Sequence, residues 1–189
     1  MKLLSTRLFH VVLFGFLEVL VCFSLILMMF WSVSPSLFIL QVGKYSNEAH
    51  IYFGPFFWSY KEDHIVYDHV TVLFSTLQFM YGFSMFVLAA NLILAIFGFL
   101  KKRFRKPFGR MIIGLTPIIG MFALLYTIQF GLSYSKNTFI FLEDALHGFT
   151  FDSTLFPFPY PLIWAWLMTM GSFCLGALVL IHRFEHETP

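Results

Sequence analysis

The sequence predicts an all-α membrane protein: a four-transmembrane-helix bundle with a small extracellular β-sheet built from its first outer loop. Three observations carry this. Of 189 residues, 59% are hydrophobic and 12% charged, against roughly 25% charged in a soluble domain. A chain of this length has too little interior to hide so much apolar surface, so the surplus faces lipid. Four apolar runs are each long enough to cross a hydrocarbon layer of ~30 Å. Six of the twelve Lys+Arg stand in the ten residues 101–110, between two of those runs.

The chain reads as one tetraspan domain. Residues 8–31 form the first span, preceded by Lys2 and Arg7. This run is too long for the apolar core of a signal peptide and no small-x-small site follows it, so it reads as an uncleaved helix. Ser32-Val33-Ser34-Pro35-Ser36 breaks it. Outer loop one, 32–69, has Gly43, Gly54 and Pro55 as turn residues. Runs 36–42, 50–53 and 64–67 are rich in β-branched and aromatic residues and read as short strands. The second span is 70–100, longer than a bilayer needs, so its first turns rise above the membrane or tilt. A cytoplasmic basic loop, 101–110, follows. The third span is 111–132, where Pro117 should bend the helix. Outer loop two is 133–161, ending in the proline-broken aromatic run 156–161. The fourth span is 162–182 and the tail 183–189.

Charge orients these spans. Lys2, Arg7, Lys101, Lys102, Arg103, Arg105, Lys106, Arg110 and Arg183 lie at one end, against Lys44, Lys61 and Lys136 at the other. Nine cations against three place both termini in the cytoplasm. Trp31, Trp58, Trp164 and Trp166 fall near the outer boundary, as an aromatic belt would. The net charge of +2 is no nucleic-acid signal, because the basic residues cluster beside membrane segments.

Glu18 is the sharpest anomaly. It lies roughly 16 Å along the helix from Arg7, near mid-bilayer, where an ionisable group is costly and marks function by default. Asn91, Ser172 and, slightly lower, Thr116 fall at a similar depth, so the four can form one intramembrane polar layer. Glu18 then reads three ways: a protonated partner of Asn91 joining helices, a contact to another protein's membrane helix, or part of an ion or proton path. Gly171, Ser172, Gly176 and Ala177 permit close helix approach in span four. Cys22 and Cys174 read as buried free thiols. His50, His64, His69 and His147, with Asp63, Asp68, Asp144 and Asp152, match no closed zinc spacing. His10 and His182 sit at the rim, where they cannot oppose each other across a haem. No nucleophile elbow, phosphate loop, HExxH or CxxC appears. The sequence therefore predicts no enzyme, no cofactor and no metal.

Four spans, a larger first outer loop with strands and a tight basic turn between spans two and three resemble the claudin and peripheral-myelin-protein superfamily. Trp31 ends span one, where that family has a Trp. Gly54-Pro55-Phe56-Phe57-Trp58 resembles a stretched Gly-Leu-Trp. Val66-Tyr67-Asp68 with Leu73 and Leu77-Gln78 is similar to the family's entry into span two, and Ala95-Ile96-Phe97-Gly98 to its exit. The chain is a divergent form, without the cysteine pair of the family's first loop.

The resemblance implies a non-enzymatic tetraspan that contacts other proteins through its first outer loop, with Phe56, Phe57, Trp58 and Tyr60 as anchors. Packing of the sheet onto the bundle is the other reading of these four. The expected partners are the lipid bilayer and another integral membrane protein, in a channel or receptor complex or at cell–cell contacts of the plasma membrane. A supernumerary subunit of an organellar complex, for example respiratory, fits the same composition. A small transporter using Glu18 is a weaker third reading.

Overall fold

Buried side chains recur along every helix in alternating steps of three and four. The computed structural model describes residues 2–34, 38–42, 49–60, 63–66, 70–136 and 160–181. On helix Lys2–Val33 (α1) the buried stripe is Leu17, Val21, Ser24, Met28 and Trp31. On Val72–Leu100 (α2) it runs Phe74, Leu77, Tyr81, Ser84, Leu88, Asn91, Ala95 and Gly98. On Lys102–Lys136 (α3) it is Arg105, Gly109, Ile112, Thr116, Ile119, Ala123 and Tyr126. On Tyr160–Ile181 (α4) it is Ala165, Met168, Ser172, Leu175 and Val179. A seam of period 3.5 is the spacing of a left-handed bundle. All four helices are long and apolar enough to cross a membrane, and the large side chains off the seam, such as Phe16, Phe79, Phe86 and Met170, are exposed. The protein is an integral, multi-pass membrane protein by this architecture.

The helices are not equally enclosed. α3 packs along both α2 and α4, and α2 meets α4 across the bundle. α1 lies on the α2 and α4 side and, among the described residues, does not contact α3. Glycines set the closest approaches. A Cβ on Gly176 would meet Ile112 Cγ2 and Ile113 Cγ1 at 2.9 Å, and one on Gly109 would meet Leu180 Cγ at 2.6 Å and the Gly176 carbonyl oxygen at 3.2 Å. The small residues of span four thus serve packing within the chain.

The basic run is not a loop. Only Lys101, extended at φ −122°, ψ 115°, separates α2 from α3, and its N–H donates to the Phe97 carbonyl. Residues 102–110 are helical. Pro107 and Gly109 do not break this helix. Pro107 lacks an N–H, so the Arg103 carbonyl receives no bond from within the helix; Arg103 is exposed, where water can reach it. Gly109 is the near-contact with α4 rather than a turn. Arg105 is buried, 7% exposed, with its Cα 3.9 Å from the Cβ position of Gly98. The cationic side chains of 101–110 are therefore not all solvated, contrary to the sequence expectation.

α2 begins at Val72 because Thr71 caps it, its Oγ1 accepting from Phe74 N at 3.3 Å. α3 continues through Pro117 to Lys136, and α4 starts at Tyr160. The residues between, with Glu143, Asp144, His147 and Asp152, lie outside the described residues, as do His182, Arg183 and the tail.

Strands Phe38–Val42 (β1), Ala49–Phe53 (β2), Phe57–Tyr60 (β3) and Asp63–Val66 (β4) pair in sequence order, each antiparallel to the next. Short turns make the last two hairpins: Phe53 faces Trp58 and Tyr60 faces Asp63. The β2–β3 turn carries Gly54, whose N–H donates to Phe57 O at 2.9 Å. This turn rests on α2: Gln78 Nε2 donates to the Pro55 carbonyl at 2.7 Å, and Phe53, Gly54 and Pro55 are buried.

Candidate functional site

Three of the four polar residues expected at one depth meet in the seam. Each occupies a seam position of its own helix, so packing alone aims it inward. Asn91 Nδ2 donates to Ser172 Oγ at 2.6 Å. Thr116 Oγ1 lies 3.5 Å from Ser172 Oγ and donates to its own helix at Ile112 O, at 2.9 Å. All three are buried. The layer joins α2, α3 and α4, the three helices that enclose one another.

Glu18 is not part of that bond set. Asn91 gives its Nδ2 to Ser172, while its Oδ1 and Glu18 Oε1 are both covered and without a hydrogen-bond partner among the described residues. Glu18 is half-buried on α1. It lies one turn from Phe14, which stacks on Phe99 of α2 with ring centroids 3.9 Å apart. It lies three residues before Val21, at the level where Gly171 admits Leu20 of α1 against α4. The expected Glu18–Asn91 bond is not formed: α1 packs on the outside of the α2–α3–α4 core, and Asn91 bonds within that core instead. What remains is a carboxyl group at mid-span, set at the side of the least enclosed helix.

The face of α1 beside Glu18 has a pattern of its own. Val11, Gly15, Glu18, Cys22, Ile26 and Met29 recur at steps of three and four and fall within an arc of about 80°. Apart from half-buried Glu18 all are exposed, and a Cβ on Gly15 would meet no atom within 4 Å. Cys22 and Cys174 are free thiols, but both lie exposed on the outside of the helices instead of buried.

In the half of the bundle next to the sheet, Tyr81 is a junction that sequence reasoning missed. Its hydroxyl donates to the Met28 carbonyl of α1 and accepts from Ser32 Oγ at 3.3 Å. Its ring is edge-on to Phe122 of α3, centroids 5.4 Å apart. Phe56, from the β2–β3 turn, approaches it at 5.9 Å. The signal was available: a phenol inside an apolar span must find an acceptor. Ser84 Oγ and both amide atoms of Gln129 are also buried, with no partner among the described residues.

Of the four aromatics expected to anchor an outer contact, Phe56 is 44% exposed while resting against Tyr81, and Phe57 is half-buried. Trp58 and Tyr60 stand on β3, paired with Phe53 and Ile51 of β2; their side chains lie outside the described residues. No protein-family model and no curated protein matches this chain.

Proposed function

We propose that this protein is a non-enzymatic, claudin-like tetraspan that acts as an accessory subunit, binding another integral membrane protein along the α1 face that carries Glu18. The observation that supports this best is the unpartnered Glu18 oxygen, because a carboxyl group left without a donor at mid-bilayer costs several kcal/mol. A donor on a neighbouring protein's helix removes that cost. Gly15, one turn away, lets such a helix come close. The outer sheet, with Phe56 exposed on its turn, adds a second contact outside the membrane, in a channel or receptor complex or at a cell–cell junction. Cytoplasmic termini are the orientation consistent with the charge distribution, and the plasma membrane is the location that goes with this role.

The test is purification of the tagged full chain in mild detergent, with parallel Glu18→Leu and Glu18→Gln variants. One membrane protein should co-purify in stoichiometric amount with the native chain. It should be lost with Glu18→Leu, partly kept with Glu18→Gln, and the three chains should elute and melt alike. Identical co-purification from Glu18→Leu overturns the docking role. Imaging then separates plasma membrane from an organelle, where a supernumerary subunit is the alternative. Ion flux in vesicles abolished by Glu18→Ala would favour the transporter instead.

A further inference from the structure

Two charged side chains stand at similar heights on opposite sides of the bundle. Glu18 is the single acidic residue of the four helices, and Arg110 ends the basic run, with no further cation before Lys136. Gly109 lies close against Leu180 and the Gly176 carbonyl, so Arg110 stands beside the apolar end of α4 rather than beyond it. It is exposed, and at about 100° per residue it lies roughly 130° round α3 from the seam residues Arg105, Gly109, Ile112 and Thr116. Charged side chains within membrane segments ordinarily face the bundle interior and pair with one another. Arg110 faces outward, and the four helices hold no carboxylate but Glu18 to answer it. α1 and α3 flank the α2–α4 pair without touching each other among the described residues, so Glu18 and Arg110 of one chain do not meet. Arg105 does face the bundle, but it lies five residues further from Glu18's level along α3 than Arg110.

We propose that a second copy of this chain, beside the first in one membrane and with the same sidedness, supplies the missing counter-charge: Glu18 on α1 of one copy pairs with Arg110 on α3 of the next. The heights support this. Leu20 of α1 meets Gly171, and Ile112 and Ile113 of α3 meet Gly176. Counting from these contacts along α4 sets Glu18 about level with Phe173 and Arg110 about level with Leu178, roughly 7 Å apart along the axis. Counting along α2, from the Phe14–Phe99 stack and from Gly98 against Arg105 and Phe108, sets the two level. A guanidinium on its long stem covers either difference, and its paired N–H donors fit both carboxylate oxygens. Both heights are measured against the chain's own helices, so equal sidedness alone brings the charges together. Each charge also has an open glycine about one turn away, Gly15 before Glu18 and Gly114 after Arg110, where a Cβ would meet nothing within 4 Å. Along α4, Gly114 falls near the height of Glu18 and Gly15 near that of Arg110, so each leaves room for the long side chain of the facing helix. Since the two charges lie on opposite sides of the chain, the contact is heterologous, and any row of copies ends in one free Glu18 face. The inference rests on the reading of that face as a docking face, and the free end is where a different partner binds.

The experiment co-expresses full-length copies carrying two different tags and extracts them in mild detergent. Pull-down through one tag should recover the other. Arg110→Gln or Glu18→Leu in both copies should lower that recovery by about tenfold or more. Charge reversal is the sharper arm. Copies that all carry Glu18→Arg, or all carry Arg110→Glu, should not pair, whereas a Glu18→Arg copy mixed with an Arg110→Glu copy should pair again. Melting in detergent reports folding, and cross-linking in the membrane serves if a reversed chain melts early. Cys22 and Met121 are exposed and continue the two faces, so an oxidant should join Cys22 of a Cys174→Ser copy to position 121 of a Cys22→Ser/Cys174→Ser/Met121→Cys copy, and less so with Arg110→Gln. Recovery of single copies only, undiminished pairing by a folded Arg110→Gln chain, or no rescue on mixing folded reversed chains overturns the proposal. Arg110→Gln should leave the co-purifying partner of the proposed function in place, while Glu18→Leu loses both, so the two readings fail separately.

Discussion

At the scale of single residues, polar side chains decide what the apolar majority leaves open. Asn91 and Ser172 are each the other's partner in a setting without water. Intramembrane hydrogen bonds of this kind contribute about 0.6 kcal/mol on average and up to about 1.7. Asn91→Ala should therefore lower the melting temperature in detergent by roughly 2–5 °C. Ser172→Ala should do much the same, and the double variant should lose less than the two losses combined. Strict additivity would show that the bond contributes nothing. Tyr81 belongs to the same class but holds three elements: Tyr81→Phe removes only the hydroxyl bonds to Met28 and Ser32, at about 1 kcal/mol. Tyr81→Ala also removes the ring contacts with Phe122 and Phe56 and should cost about 3–5 kcal/mol. A Tyr81→Ala loss no larger than that of Tyr81→Phe would mean the aromatic cluster carries nothing.

At the scale of elements, the approach of α3 to α4 depends on Gly109 and Gly176, while Gly15 and Gly82 have open space around them. Gly109→Val and Gly176→Val should destabilise by about 1–3 kcal/mol through overpacking. Gly82→Val should be near neutral, and equal losses at all three would mean that helix propensity rather than close packing governs these positions. The spans themselves were legible in the sequence, because an apolar run of membrane length leaves the backbone no choice but a helix. The seam was half legible: Asn91, Ser172 and Thr116 could be placed at one depth by counting residues, but which face each turns inward depends on the period-3.5 packing. Glu18 could be counted to the same depth and still not join them, since counting says nothing about which helix lies outside. The basic run misled for a specific reason. Pro107 and Gly109 carry the residue types of a turn, yet one sits where its orphaned carbonyl is exposed and the other where α4 presses close. Amide exchange tests this correction: the N–H groups of residues 108–110 should exchange far more slowly than they do in the unfolded chain. Uniformly fast exchange would restore the loop.

The whole molecule is best described as a three-helix core with a fourth helix applied to its side. α3 packs along both α2 and α4, whereas α1 rests on α2 and α4 without reaching α3. Its attachments are identifiable: the Phe14–Phe99 stack at one end, Leu20 against Gly171 in the middle, and the Met28–Tyr81 bond with Trp31 at the other. Opening free energies differ between parts of one protein according to how much each buries, so α1 should separate before α2, α3 and α4 come apart. In the function proposed above, the helix that carries the carboxyl would then also be the one least tied to its own bundle. Met28 and Met168 are both fully buried seam residues, on α1 and α4 respectively. In a chain with Cys22 and Cys174 replaced by serine, Met28→Cys and Met168→Cys each supply one buried thiol. As SDS is titrated into mild detergent, the thiol at 28 should become reactive at a lower SDS fraction than the thiol at 168. Coincident midpoints would show that all four helices part together, and α1 would then be as much a part of the core as the rest.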